Sequence, residues 1–86
     1  MNEENARAAV LAAIAQVAPD VDPDDLDDAA RLRQDLELDS LDFLRLVETL
    51  AQSTGVDIPE RDYPRVTTVG ALIRYLAEAG ANRPAP

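Results

Sequence analysis

Three stretches of this chain place apolar side chains at the spacing of an α-helix, and each is followed by a residue that stops helices. The predicted helices run from about Glu3 to Val17, from Asp39 or Ser40 to about Gln52, and from Thr67 or Thr68 through Ala79, with stops at Pro19, Gly55 and Gly80. The sequence contains no alternating pattern long enough for a useful strand. At 86 residues, the chain is therefore expected to form one small all-α bundle.

Each predicted helix offers one apolar face to a common core. The faces consist of Val10, Ala13, Ile14 and Val17 in the first helix, Phe43, Leu46, Val47 and Leu50 in the second, and Val69, Leu72, Ile73 and Leu76 in the third. Leu41 and Leu44 lie off the core face of the second helix, so we expect them to be exposed. Gly70 costs helix stability, which predicts that another segment packs closely against it.

Residues 18–39 form a long connection between the first two helices, and we expect it to be ordered. Asp22 followed by Pro23 is typical of an N-cap and a first helical position, which predicts one helical turn. Leu26, Leu32, Leu36 and Leu38 are expected to hold the connection on the core. A second short turn is predicted from Glu60 to Tyr63, closed by Pro64. The predicted fold is thus three main helices plus one short helix, with a long loop between helices one and two.

The composition excludes several classes of site. The chain has no His, Cys, Lys or Trp, so it cannot build Ser-His-Asp or Cys-His catalysis, a Cys/His zinc site or a Lys Schiff base by itself. Residues 19–42 hold ten carboxylates and two arginines in a chain whose net charge is −9. This charge disfavours nucleic acid and is compatible with a basic protein partner, although by itself a solvated acidic loop is the simpler explanation. Asp25 and Arg31 occupy the positions where a calcium loop requires Gly and Glu, so we predict no metal site.

The most informative segment is Asp39-Ser40-Leu41-Asp42, at the start of the second helix. Ser or Asp at a helix start most often only caps backbone N–H groups. A serine hydroxyl there also lies at the positive end of the helix dipole, where a phosphate is well accommodated. Ser40 is therefore a suitable attachment point for a phosphodiester, flanked by the apolar side chains of Leu41 and Leu44.

Residues 35–42, Asp-Leu-Glu-Leu-Asp-Ser-Leu-Asp, resemble the modification motif of acyl carrier proteins. Residues 56–59 and 66–70 resemble the family's segment leading into its last helix, and the order of elements also fits over residues 5–79. The resemblance implies a non-catalytic acyl-carrier-like bundle. In it, a phosphopantetheinyl transferase moves 4′-phosphopantetheine from coenzyme A onto Ser40. The terminal thiol of this arm then holds acyl or aminoacyl cargo as a thioester.

The resemblance also implies where partners bind. Acyl-loading and acyl-processing enzymes with basic docking surfaces are expected to contact Asp39, Leu41, Asp42, Leu44, Arg45 and Glu48. We expect a cytoplasmic monomer without stable membrane insertion, with one carrier domain over residues 1–80 and a disordered tail over residues 81–86.

The sequence departs from the family pattern at Glu37, at Arg45 and at residues 51–53, where Ala, Gln and Ser replace a further acidic run. Glu37 stands where the family commonly has Gly, which constrains the loop backbone and is expected to alter its local shape. Arg45 stands where carriers of fatty-acid synthesis typically show Glu. The reversed charge favours a specialised pathway, such as a polyketide-like one. The alternatives are an aminoacyl or peptidyl carrier of a nonribosomal-peptide-type pathway, or an unmodified acidic helical adaptor that binds a basic partner.

Overall fold

A computed structural model describes residues 2–82 of the chain. Its three α-helices are α1 (Glu3–Val17), α2 (Ser40–Thr54) and α3 (Val69–Asn82), with short 3-10 helices at Pro23–Asp25 and Glu60–Arg65. Within the described residues there is no strand, only an isolated antiparallel bridge between Arg31 and Thr68. The all-α prediction is confirmed. None of the helices in this range is long and apolar enough to cross a membrane.

Local capping defines where the helices begin and end. Asn2 caps α1 because its side-chain oxygen accepts a hydrogen bond from the Asn5 N–H at 2.7 Å. Thr68 does the same for α3, accepting from the Ala71 N–H at 3.1 Å. Gly55 ends α2 with a φ of 75°, a left-handed conformation that favours glycine. The predicted alternatives of Thr67 and Thr68 are thereby settled in favour of Thr68.

The predicted helix faces form one core, in which α1 packs against both α2 and α3. Eleven of the twelve predicted face residues are buried, and Val17 is half-buried. Ala6 of α1 is also buried, although its small side chain gave no signal in the apolar pattern. Leu32, Leu36 and Leu38 of the long connection are buried as predicted, whereas Leu26 is only partly so.

Backbone hydrogen bonds attach the long connection to the start of α3. The Gly70 N–H donates to the Asp28 carbonyl at 2.9 Å and the Val69 N–H donates to the Ala30 carbonyl at 3.0 Å. The close packing predicted at Gly70 is confirmed, because a Cβ there would lie 2.8 Å from the Asp28 Cβ. Arg7 of α1 adds a two-point ion pair to the Asp28 carboxylate, with distances of 2.8 and 3.1 Å.

Two predicted boundaries are wrong. Pro64 lies inside the Glu60–Arg65 helix and does not close it, because the fixed φ of proline suits a 3-10 helix. Helix α3 does not end at Ala79 with Gly80 as its stop. It continues to Asn82, since a glycine costs a helix only about 1 kcal/mol and does not forbid it. The first two residues of the predicted tail are therefore helical, and residues 83–86 of that tail lie outside the described residues.

Candidate functional site

The site is built at the first turn of α2, where Asp39 and Ser40 have separate roles. Asp39 is the N-cap, and its carboxylate accepts a hydrogen bond from the Asp42 N–H at 2.8 Å. Ser40 is the first helical residue and is exposed. Because Asp39 supplies the capping oxygen, the Ser40 hydroxyl is not needed to complete the helix start.

One arginine lies beside the Ser40 hydroxyl. Arg33 Nη2 is 3.5 Å from Ser40 Oγ, which is the outer limit of a hydrogen bond. Both side chains are exposed. The positive end of α2 and the guanidinium of Arg33 therefore both raise the electrostatic potential at Ser40 Oγ, although the surrounding segment is acidic.

The backbone that leads into Ser40 turns sharply at Glu37. Its φ of 58° lies in the left-handed region that favours glycine, so Glu37 adopts here a conformation that is uncommon for a residue with a side chain. The turn follows Asp35, whose carboxylate accepts from the Arg31 side chain at 3.3 Å and from the Arg31 N–H at 2.7 Å. These two kinds of hydrogen bond, the side-chain ones first, lower the pKa of Asp35 below its ordinary value of 3.8. Asp35 is thereby held by Arg31, and within residues 2–82 no ion pair joins it to Arg33.

A cavity of about 800 Å³ lies next to Ser40. Phe43 and Tyr63 line it and pack edge to face, with ring centroids 5.0 Å apart. The lining residues come from the end of the long connection, from the first turns of α2, and from the Glu60–Arg65 helix and the residues after it. They are Leu32, Arg33, Gln34, Leu38, Ser40, Phe43, Leu44, Glu60, Tyr63, Pro64, Val66 and Thr67. The serine hydroxyl thus lies beside a largely apolar space.

The other predicted site residues lie on the outer part of α2. Leu41 is 70% exposed and Leu44 is 42% exposed, which confirms that both lie off the core face. Arg45 and Glu48 are also exposed, and Asp42 is half-buried. Leu44 also lines the cavity, which the sequence did not indicate.

Arg33 and Tyr63 are the residues at the site that sequence reasoning missed. Arg33 precedes Ser40 by seven residues but lies in an irregular segment, so no helical period connects them. Tyr63 comes from a distant turn. The one indication in the sequence is an aromatic ring in a polar segment that contains proline, which suggests that the ring packs against the body of the protein.

The groups around Ser40 fit a phosphodiester linkage. A free hydroxyl is the atom that such a linkage esterifies, and a guanidinium beside it supplies the opposite charge and N–H donors. The helix N-terminus favours the same anion. The serine is exposed, so an enzyme that modifies it has access.

Comparison with known proteins agrees with this geometry. Residues 8–76 match the family described as "Phosphopantetheine attachment site". The chain is 33% identical to an acyl carrier protein of Rubrobacter xylanophilus over 75 residues, which cover 84% of this chain and 93% of that protein. It is 38% identical to an acyl carrier protein of Picosynechococcus over 64 residues, covering 73% and 79% of the two chains.

A third relative, from Chlamydia muridarum, is also called an acyl carrier protein and is 36% identical over 58 residues, with 67% of this chain and 75% of that protein covered. These proteins are non-catalytic carriers whose cofactor is covalently attached 4′-phosphopantetheine. The family match covers most of the chain, including α2 and the cavity. This chain therefore belongs to the acyl carrier protein family.

Proposed function

We propose that Ser40 is the residue of this carrier that bears 4′-phosphopantetheine. The observation that carries this proposal is the division of roles at the start of α2. Asp39 caps the helix, and Ser40 presents an exposed hydroxyl with Arg33 Nη2 at 3.5 Å. The other serine, Ser53, differs because its hydroxyl bonds to the Leu50 carbonyl within the helix at 3.4 Å.

The chain's own residues do no bond-making beyond offering this hydroxyl. When bound, the arm supplies a thiol for acyl cargo, which the chain lacks because it contains no Cys. Ser40 fixes the root of the arm at the first turn of a rigid helix. The cavity beside it, with Phe43 and Tyr63 in its lining, offers apolar surface to a cargo chain.

Partner enzymes are proposed to bind around this helix start through Asp39, Leu41, Asp42, Leu44, Arg45 and Glu48. The exposure of two leucines on an otherwise polar surface supports this, because such side chains gain most by being covered. The acidic residues before them would attract basic surfaces from a distance. We further propose a cytoplasmic monomer with a single carrier domain that includes all of α3.

We also propose that the pathway is a specialised one, such as a polyketide-like pathway. Arg45 is exposed on α2 in the region proposed for docking. By resemblance, carriers of fatty-acid synthesis have a Glu at this position, and a basic enzyme surface that fits Glu would repel Arg45. Reversal of one charge is an economical means of rejecting the wrong partner.

Intact-mass spectrometry tests the attachment residue. Incubation with coenzyme A and a promiscuous phosphopantetheinyl transferase should add the mass of one phosphopantetheine to the wild type. Ser40→Ala should abolish the addition, and Ser53→Ala, at the only other serine, should leave it unchanged. If Ser40→Ala still gains the mass, the attachment residue is wrong. If the wild type gains none, the proposal fails and the alternative of an unmodified acidic adaptor is favoured.

A charge reversal on α2 tests the pathway. Arg45→Glu should increase the rate at which fatty-acid synthesis enzymes load the modified protein. Arg74→Glu makes the same charge change at an exposed position on α3 and serves as the control. Equal loading of Arg45→Glu and wild type would contradict a specialised role for Arg45.

A further inference from the structure

Of the two arginines in the acidic segment over residues 19–42, Arg33 is the one without an ion pair in the part of the chain that the structure describes. Within residues 2–82, ion pairs join Arg7 to Asp28, Arg31 to Asp35 and Arg65 to Asp62, and none involves Arg33. Its contact is with Ser40 Oγ, at 3.5 Å from Nη2. In a segment with ten carboxylates and two arginines, a guanidinium without a carboxylate partner is available to an added anion.

The charge around Ser40 makes such a cation useful. Glu37 and Asp39 are exposed in the residues just before Ser40, and Asp42 follows it within the same turn. A phosphodiester placed on Ser40 Oγ carries one negative charge and would be repelled by these carboxylates. The guanidinium of Arg33 is already at contact distance and carries the compensating charge.

The location of Arg33 also gives the arm a direction. Arg33 and Ser40 line the same cavity as Phe43, Leu44 and Tyr63. A phosphate held by Arg33 on that side of Ser40 would start the arm over the cavity rather than away from it.

We propose that Arg33 binds the phosphodiester on Ser40 and thereby directs the arm along the cavity. This rests on the proposed attachment at Ser40. Arg33 acts here as a positioning residue, since the acyl cargo is bonded elsewhere on the arm. Because guanidinium binds phosphate oxygens through two parallel N–H donors, a lysine should replace it only in part.

The experiment uses the modified protein and compares Arg33→Gln with Arg61→Gln. Arg61 is an exposed arginine of the Glu60–Arg65 helix that does not line the cavity. Its substitution removes the same charge as that of Arg33 but at a distance from the site, so it serves as the control. Each variant is converted to the modified form, and intact mass establishes complete conversion before any comparison. Differences in the rate of modification then do not enter the result.

The first readout is the effect of modification on unfolding in urea. Relative to Arg33→Gln, modification should stabilise the wild type and Arg61→Gln by a factor of about two to five in the unfolding equilibrium constant, as expected for an exposed ion pair. Arg33→Lys should keep part of this factor. Salt at about 0.5 M should remove most of it, because screening weakens such pairs.

The second readout is the location of the arm. Since the chain has no Cys, a thiol-reactive spin label attaches only to the arm. In the wild type and Arg61→Gln, the label should broaden the amide signals of cavity residues such as Leu44 and Tyr63. This broadening should be lost in Arg33→Gln.

A third readout needs no variant. In the wild type, modification should shift the Nε signal of Arg33 in ¹⁵N spectra and leave that of Arg61 unchanged. Equal behaviour of Arg33→Gln and Arg61→Gln, with no selective shift of the Arg33 signal, would overturn the role of Arg33 while leaving the attachment at Ser40 intact. If no mass is added to the wild type, the attachment at Ser40 and the role of Arg33 both fail.

Discussion

Helix α2 and the connection over residues 18–39 meet at Ser40, yet different interactions hold them in place. Helix α2 is fixed by the burial of Phe43, Leu46, Val47 and Leu50 and by its cap at Asp39. The connection buries three leucines, but its course is set by backbone hydrogen bonds to the start of α3 and by a left-handed residue at Glu37. The hydroxyl is thus carried by a helix held by side-chain packing, whereas its neighbour Arg33 is carried by a segment whose course also depends on backbone hydrogen bonds and on a left-handed residue.

The difference separates two kinds of tolerance to mutation. On α2, stability depends on which side of the helix a side chain lies. In the connection, stability depends not only on its three buried leucines but also on the backbone conformation at Glu37 and on the close contact with Gly70. Substitutions chosen in each region should therefore fail for different physical reasons.

The largest effect is expected on the buried face of α2. Leu46→Ala should destabilise the fold by about 2–5 kcal/mol, because Leu46 is fully buried and the substitution leaves a cavity. Leu41→Ala, on the same helix at a residue that is 70% exposed, should change the free energy of unfolding by less than about 0.5 kcal/mol. Urea unfolding followed by circular dichroism measures both. Similar losses would show that the two sides of α2 do not differ as described.

The next effect tests the contact between the connection and α3. In Gly70→Ala, the new Cβ would lie 2.8 Å from the Asp28 Cβ and 3.0 Å from its carbonyl oxygen, so the backbone must move. We expect a net destabilisation of about 1–2 kcal/mol, since overpacking outweighs the better helix propensity of alanine.

Chemical shifts locate the cause of that loss. In the Gly70→Ala variant, amide signals from residues 28–32 should move, whereas those of the middle of α2 should not. A more stable variant would mean that helix propensity dominates and that Asp28 can move away from the new Cβ at little energetic cost.

A smaller effect of opposite sign is expected at Glu37. Glu37→Gly should stabilise the fold by about 0.5–1 kcal/mol, because the strain of a left-handed non-glycine residue exceeds the added entropy of the unfolded chain. Glu37→Ala keeps the Cβ and removes the same charge, so it should give no such gain. If both variants gain equally in urea unfolding, the relief comes from charge and not from the backbone.

The same contrast explains how much the sequence could predict. Apolar periodicity and caps indicated α2, its buried face and the placement of Ser40 at its start, because these depend on nearby residues. The approach of Arg33 to Ser40 depends on the path of the connection, which is set by backbone groups that every residue type supplies. By contrast, the sequence did indicate the close contact at Gly70, because a glycine inside a helix suggests that another segment packs closely against it, and that segment contains Asp28. The end of α3 was misjudged because Gly80 weakens a helix without stopping it.

The smallest effect expected is the ion pair between Arg7 and Asp28, which joins the connection to α1. Hydrogen bonds from the Arg7 side chain lower the pKa of Asp28 below its ordinary value of 3.8. The folded state therefore releases this proton more readily than the unfolded state. The stabilisation from the pair is fully present above about pH 5 and is lost as the pH falls through 3.8 and then through the lowered value.

Asp28→Asn isolates this contribution, because it keeps the Cβ and the carbonyl that face Gly70. Asp27→Asn removes the same charge one residue earlier, where the side chain makes no ion pair within residues 2–82, and serves as the control. The wild type should have a small advantage over Asp28→Asn in urea midpoint at pH 7, and this advantage should shrink toward zero near pH 3. An advantage that is constant with pH, or equal for Asp27→Asn, would mean that the connection is held to α1 by packing and not by this ion pair.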